Sequence, residues 1–329
     1  MSISRETLLN AIVLVGLILF PLWAHLADEP FLITLTTKAA ILAIAAVGLN
    51  IALGLGGMIS LGHAAFFGIG GYAMGVLASH AQNFDPILTA PFLIEGTKSM
   101  PVIWLTALLA SGLAALAIGA ISIRTTGAYF IMITLAFGQM LFFFAIAFPA
   151  YGGEDGLSIW VRNDFPGLNT LDPIQFYGIV FVILCATLVF SAYLARSPFG
   201  LALNAARQSP TRVETVGIST YRLKLIAFTI SGMITGLSGA LFADLNRFVS
   251  PSMLSWQTSG EIMIFLILGG VARLFGPVVG AVLFICLEHL LGGISDYWLI
   301  YLGGLLLVIV LFARGGVIGT LVGRGATHD

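Results

Sequence analysis

The chain has 329 residues, 59% of them hydrophobic and 9% charged, with a net charge of −1 at pH 7 and a mean hydropathy of +1.04. About a quarter of the residues in a soluble globular domain are charged, so that class is excluded. The apolar runs are continuous in Leu, Ile, Ala, Val, Phe and Gly rather than alternating, which excludes a β-barrel and leaves an all-α polytopic membrane protein.

At about 20 apolar residues per crossing, the predicted spans begin with Leu8–Ala24, Phe31–Leu53, Ala64–His80, Pro101–Ile123 and Gly127–Phe148. Ile174–Ala195, Leu225–Asp244, Ser259–Val271, Gly276–Leu291 and Trp298–Ala313 follow, giving about ten transmembrane helices. Leu8–Trp23 after Arg5 has the look of a signal sequence, but Leu22-Trp23-Ala24 and His25-Leu26-Ala27 are poor cleavage sites, so a retained first span is expected. Ser259–Val271 is short enough to be a broken or re-entrant helix. Glycines inside the apolar runs (Gly112, Gly119, Gly232, Gly236, Gly239, Gly276, Gly280, Gly303, Gly304) suit close helix–helix approach in lipid. Small-residue-rich helices at Gly62–Gly75 and Gly232–Ala243 also give weak support for an internal inverted repeat. No separate soluble domain is visible, so residues 1–329 read as one transmembrane domain.

The charges orient the spans. Segment 196–224 carries Arg196, Arg207, Arg212, Arg222 and Lys224 against one acid, Glu214, and the positive-inside rule places it in the cytoplasm. Glu154, Asp155, Asp164 and Asp172 in one loop, and Asp85 and Glu95 in another, then fall outside, while Arg124, Arg273, Arg314 and Arg324 fall inside with both termini. Phe199–Gly217, with Leu201, Leu203, Val213 and Val216 among Arg207, Arg212 and Glu214, reads as a short amphipathic coupling element for a cytoplasmic partner.

Three constellations could carry chemistry. Gly54–Gly68 is glycine-rich between two apolar runs, with Ser60 and His63 beside the break. It reads either as a tight turn or as an unwound helix, and unwound backbone at membrane depth needs a protein or water-filled cavity over it. Lys38, Asn50, Gln139, Glu261 and Glu288 are polar residues inside predicted spans. Lys38 and Glu288 lie near span ends and can snorkel; Glu261 fits an interfacial position, a pair with Arg273, or a pathway. Gly152-Gly153-Glu154-Asp155-Gly156 lacks the spacing of a calcium loop and reads as an acidic turn, either solvated or facing a partner. Cys185 and Cys286 lie in different apolar runs, so neither a disulfide nor a metal or other cofactor is expected. There is no G-x-x-x-x-G-K-[ST] and none of the three lysines follows a glycine, so the chain cannot hold ATP in a P-loop. No catalytic motif is visible and no nucleic-acid partner is expected.

Gly48-Leu49-Asn50 and Ile59-Ser60-Leu61-Gly62-His63-Ala64-Ala65-Phe66-Phe67-Gly68-Ile69-Gly70-Gly71-Tyr72 resemble the permease subunits of branched-chain amino acid ABC importers. Gly127-Ala128-Tyr129-Phe130, Thr134–Gln139, Gly152–Gly156, Ser197–Gly200, Phe248–Pro251, Ser255–Glu261 and Leu268–Gly270 are similar to the M-type member of that pair, and the matches run from about Ala40 to Gly319. The resemblance implies an H-type permease as heterodimer partner, two cytoplasmic P-loop ATPase subunits, a periplasmic substrate-binding protein and the lipid of a bacterial inner membrane. Arg207-Gln208-Ser209-Pro210 departs from the family pattern, and Pro210 should break or start a helix. An ion-coupled secondary transporter and a structural membrane scaffold are the competing functions. Asn50, Ser60, His63, Gln139 and Glu261 are expected to line the path. Leu203, Arg207, Arg212, Val213 and Glu214 are expected to couple to the ATPase, and Glu154, Asp155 and Trp256 to meet the binding protein.

Overall fold

The apolar runs fold as helices where the spans are expected. The computed structural model describes residues 5–86, 95–293, 300–304, 306–307 and 315–322. In order the helices are α1 (Arg5–Leu26), α2 (Pro30–Asn50), α3 (His63–Asn83), α4 (Met100–Ser122), α5 (Ala128–Ile146) and α6 (Pro173–Arg196). Then come α7 (Pro198–Gln208), α8 (Pro210–Thr215), α9 (Thr220–Asn246), α10 (Trp256–Gly269), α11 (Gly276–Gly292) and α12 (Gly316–Val322). A π turn, Ile51–Leu55, prolongs α2. Among the described residues, α1, α2 with its π turn, α3, α4, α5, α6 and α9 are long and apolar enough to cross a membrane. The expected span Trp298–Ala313 lies largely outside the described residues, as do Arg314 and Arg324.

Proline and short polar caps set the helix boundaries. Pro30, Pro173, Pro198 and Pro210 each open a helix, where a missing N–H costs nothing. Asp172, Ser197, Ser219 and Ser255 each accept a backbone N–H of the first turn that follows. Pro210 thus starts α8, as its chemistry demands. Pro21, inside α1, cannot donate to the Leu17 carbonyl one turn earlier, and the Tyr177 hydroxyl of α6 donates to that carbonyl instead at 2.5 Å.

Helix α9 is the hub, packed by α2, α3 and α4. In lipid, helices associate through close packing and inter-helix hydrogen bonds rather than hydrophobic exclusion. Both devices are present. A Cβ on Gly70 of α3 would lie 1.8 Å from Gly236 O, and one on Gly239 would lie 1.8 Å from Phe67 O, so the α3 and α9 backbones touch. The two small-residue-rich helices seen in the sequence are therefore each other's packing partners. On the α2 side, Ser231 Oγ donates to Gly48 O and Ser238 Oγ to Ile41 O, each at 2.6 Å. Of the glycines expected at interfaces, Gly112, Gly119, Gly232, Gly276 and Gly280 also face close neighbours, whereas no described atom lies within 4 Å of a Cβ built on Gly303 or Gly304.

The helix directions define two faces. One bears the basic α7–α8 elbow, the π turn and the α10–α11 tip. The opposite face bears loop 149–172 and residues 248–255, tied together by a two-stranded ribbon in which Leu157 pairs with Val249 and Ser158 with Phe248. Helix α10 has 14 residues, about 21 Å at 1.5 Å per residue, which is less than the roughly 30 Å hydrocarbon core. It turns at 270–275 and returns as α11, so the short Ser259–Val271 span is one arm of a hairpin.

Candidate functional site

The glycine-rich segment breaks the chain between α2 and α3 where the sequence places the break. Ser60 and His63, both buried, stand on its far side. Ser60 Oγ accepts the Gly62 N–H at 3.2 Å, closing the turn before α3. His63 Nε2 lies 2.7 Å from Ser231 Oγ, whose own proton goes to Gly48 O. The imidazole must then carry its proton on Nε2 and donate to the serine. Its ring meets Phe66 and Phe228 edge-on at 5.5 and 5.6 Å. His63 thus joins α2, α3 and α9 inside an aromatic cluster. Ser231→Ala would orphan the imidazole N–H and should cost about 1–3 kcal/mol. The readout is the thermal unfolding midpoint in detergent; an unmoved midpoint would show that the bond contributes nothing.

Asn50 is also turned inward. Its Oδ1 accepts the Ala272 N–H at 3.0 Å and its Nδ2 donates to Arg273 O at 2.9 Å, so one side chain pairs with both polar groups of the α10–α11 tip. Gln139 and Glu261 differ from these three. Gln139 is half-buried on α5, with Nε2 unpartnered among the described residues. Glu261 is exposed on α10 and lies within electrostatic range of Glu288 and Lys38. The structure therefore brings Asn50, Ser60 and His63 together around the chain break, with Gln139 half-buried on α5 and Glu261 exposed on α10.

Lys38 and Glu288 do not snorkel apart as the sequence suggests. Lys38 Nζ donates to both Glu288 carboxylate oxygens, at 2.9 and 3.0 Å, across the α2–α11 contact. They border a cavity of about 460 Å³ with Phe31, Thr34, Asn246 and His289.

On the basic face, α7 and α8 divide the expected coupling residues. Leu203 is 0% exposed and Val213 is buried too, so both face the transmembrane helices and cannot themselves meet a partner. The turn between α7 and α8 at Ser209 directs these residues inward and leaves Leu201 (62% exposed) and Val216 (77%) outward. Arg212 and Glu214 are exposed, and Glu214 accepts from the Thr220 hydroxyl at 2.5 Å, anchoring α8 to α9. Arg207 Nη1 donates to Gly54 O at the π turn.

On the opposite face, Glu154 and Asp155 are exposed in the acidic turn and Trp256 is half-exposed at the start of α10. Trp160, in the same loop, is not singled out by the sequence. It is 82% exposed, yet its backbone N–H donates to Gln82 Oε1 and Gln82 Nε2 donates to Val161 O, both at 3.0 Å. Its only signal in the sequence is an indole inside a polar loop. Arg162 fixes the same loop: it donates to Thr170 O, to the α9-terminal carbonyls of Asp244 and Leu245, and stacks 4.3 Å over Phe176. Helix C-termini leave such carbonyls without partners. Burial pushes the Arg162 guanidinium below its ordinary pKa, and the Asp244 carboxylate opposes that shift.

Comparisons with known proteins place this architecture. The family model for the permease component of branched-chain amino acid transport systems matches residues 31–313. The high-affinity branched-chain amino acid transport permease protein LivM of Salmonella typhimurium is 27% identical over 318 residues, covering 88% of this chain and 71% of the relative. LivM of Escherichia coli is 26% identical over 342 residues, covering 96% of this chain and 77% of the relative. The guanosine ABC transporter permease protein NupQ of Bacillus subtilis is 29% identical over 116 residues, 33% of this chain and 36% of NupQ. No solved structure matches the chain. With most of its length covered by one family model and its membrane helices in place, the chain belongs to the permease-component family of branched-chain amino acid transport systems.

Proposed function

We propose that this chain is the M-type permease half of an ATP-binding-cassette importer in a bacterial inner membrane, moving branched-chain or other hydrophobic amino acids, or related small amides and acids, toward the cytoplasm. An H-type permease completes the pathway. Two P-loop ATPase subunits sit on the basic face, which is cytoplasmic with both termini, and a substrate-binding protein sits on the acidic face. The observation that carries the reading is the α7–α8 elbow, a pair of short helices outside the spans that turns Leu201 and Val216 to solvent beside Arg212. The substrates named for the LivM relatives support the substrate class.

The path runs along the face bearing Glu261 and past Gln139, because polar side chains in apolar membrane helices tend to line pathways. Asn50, Ser60 and His63 serve that path from behind, by holding the chain break that lets the helices around it move. Glu154, Asp155, Trp160 and Trp256 form the surface for the binding protein, with the exposed Trp160 indole, on a backbone fixed by Gln82, as anchor.

Coexpression with the partner subunits tests the reading. Leu201→Glu with Val216→Glu should cost the complex its ATPase subunits, by about 2 kcal/mol or more of binding free energy for a central apolar contact, while the melting midpoint of the isolated subunit stays in place. ATPase subunits that co-purify at wild-type yield with the double variant would overturn the assignment of this surface.

A further inference from the structure

The π turn stands at the meeting point of three elements that are far apart in sequence. From the basic face, Arg207 of α7 donates to Gly54 O. The three carbonyls that precede it in that turn have backbone partners: Ile51 O accepts from Gly56 N, Ala52 O from Met58 N and Leu53 O from Gly57 N. Arg207 therefore supplies the cap that the helix end lacks. The aliphatic stem of Arg207 also lies against Gly57, where a Cβ would come 2.9 Å from Arg207 Cγ and where φ is +68°. From within the turn, a Cβ on Gly54 would lie 2.2 Å from Asn50 Oδ1 and 3.1 Å from Ala272 Cα. Asn50 in turn holds Ala272 N and Arg273 O. Ala272 has φ +65°, a conformation that a residue with a Cβ adopts only when its surroundings impose it, and the Asn50 amide is the group that binds this peptide.

We infer that Arg207 and Asn50 are the positioning residues of a relay that carries movement of α7 through the π turn to the tip of the α10–α11 hairpin. A π turn suits this task because it holds one more residue per hydrogen-bonded ring than the α-helix and sits close in geometry to it, so a small pull can redistribute its bonds. The hairpin can move as a unit, since α10 and α11 are joined at backbone contact: a Cβ on Gly280 would lie 1.7 Å from Phe265 O, and one on Gly269 would lie 1.6 Å from Gly276 O. Glu261 rides on that hairpin, so a displacement starting at α7 reaches the face assigned to the path. This inference rests on the reading of α7–α8 as the ATPase contact for what drives it, but not for the linkage itself.

The linkage can therefore be tested in the isolated full chain, by hydrogen exchange in detergent. Arg207→Met should raise amide exchange about tenfold or more at the π turn, as expected for losing a charged hydrogen bond. It should also raise exchange at Ala272, which Arg207 does not touch, while α6 keeps wild-type protection. Asn50→Ala should raise exchange at Ala272 and, in the reverse direction, at Gly56 and Met58. Faster exchange confined to the π turn in Arg207→Met, with residues 270–275 unchanged, would overturn the relay. If Arg207→Met does not fold, Arg207→Lys, which keeps the charge without the fork, is read by the same outcomes. Wild-type protein that fails to bind ATPase subunits would sink the docking reading and leave this result standing.

Discussion

Gly239→Val will not assemble a folded subunit, and Gly70→Val will behave the same way. At each position the first side-chain atom would lie 1.8 Å from a backbone carbonyl oxygen, Phe67 O or Gly236 O. Neither obstacle is the free end of a side chain that could swing aside. Relief requires α3 and α9 to part, and α9 is the helix on which α2, α3 and α4 are all packed. Overpacking in an ordinary core costs about 1–3 kcal/mol; separating two backbones in contact exceeds that and also stretches the His63–Ser231 bond between α3 and α9. The measurement is the yield of monodisperse protein by fluorescence-detected size exclusion. Gly178→Ala is the control: nothing lies within 4 Å of its Cβ position, and alanine favours a helix interior by about 1 kcal/mol. A monodisperse Gly239→Val protein with a wild-type midpoint would refute the backbone contact.

What was legible in the sequence was whatever depends on local chemistry. Apolar length gives the spans, proline and serine give the helix starts, and Pro210 gives the start of α8. The break after Leu55 is legible because glycines cluster there, and the shortness of the span after Ser259 because Gly269 and Gly270 end it. The facing of side chains was less legible. Leu201 and Leu203 are equivalent by composition, but α7 lies against the π turn, which buries one and frees the other. Long-range partners were not legible at all. Asn50 meets a peptide 222 residues away and Lys38 a carboxylate 250 residues away, and nothing in their local sequence marks either pairing. The same holds for His63, whose neighbourhood reads as a substrate site until Ser231 and Phe228 of α9 are seen to enclose it.

The Lys38–Glu288 pair gives the second large effect, and its asymmetry follows from a third group. Lys38 lies eight residues inside α2, about 12 Å from Pro30, so its charge stands within the membrane-crossing part of the helix. Glu288 binds it through both oxygens, and Glu261 stands within electrostatic range of both. Lys38 thus pairs directly with one carboxylate and lies within the field of a second. Removing the cation by Lys38→Met leaves two acids within electrostatic range of each other and without their cation. Removing an acid by Glu288→Met leaves Lys38 with Glu261 still near. Lys38→Met should therefore be the more damaging, lowering unfolding stability by about 2.5–3.5 kcal/mol, the cost scale of an unpaired charge in a membrane helix. Glu288→Met should cost less. The double variant should cost clearly less than the sum, because an ion pair exchanged for apolar side chains of similar size is often close to neutral, whereas half a pair is not. A double-mutant cycle on thermal unfolding in detergent reads all three quantities. Additive costs would show that the pair is not coupled, and a greater loss from Glu288→Met than from Lys38→Met would remove Glu261 from the cluster.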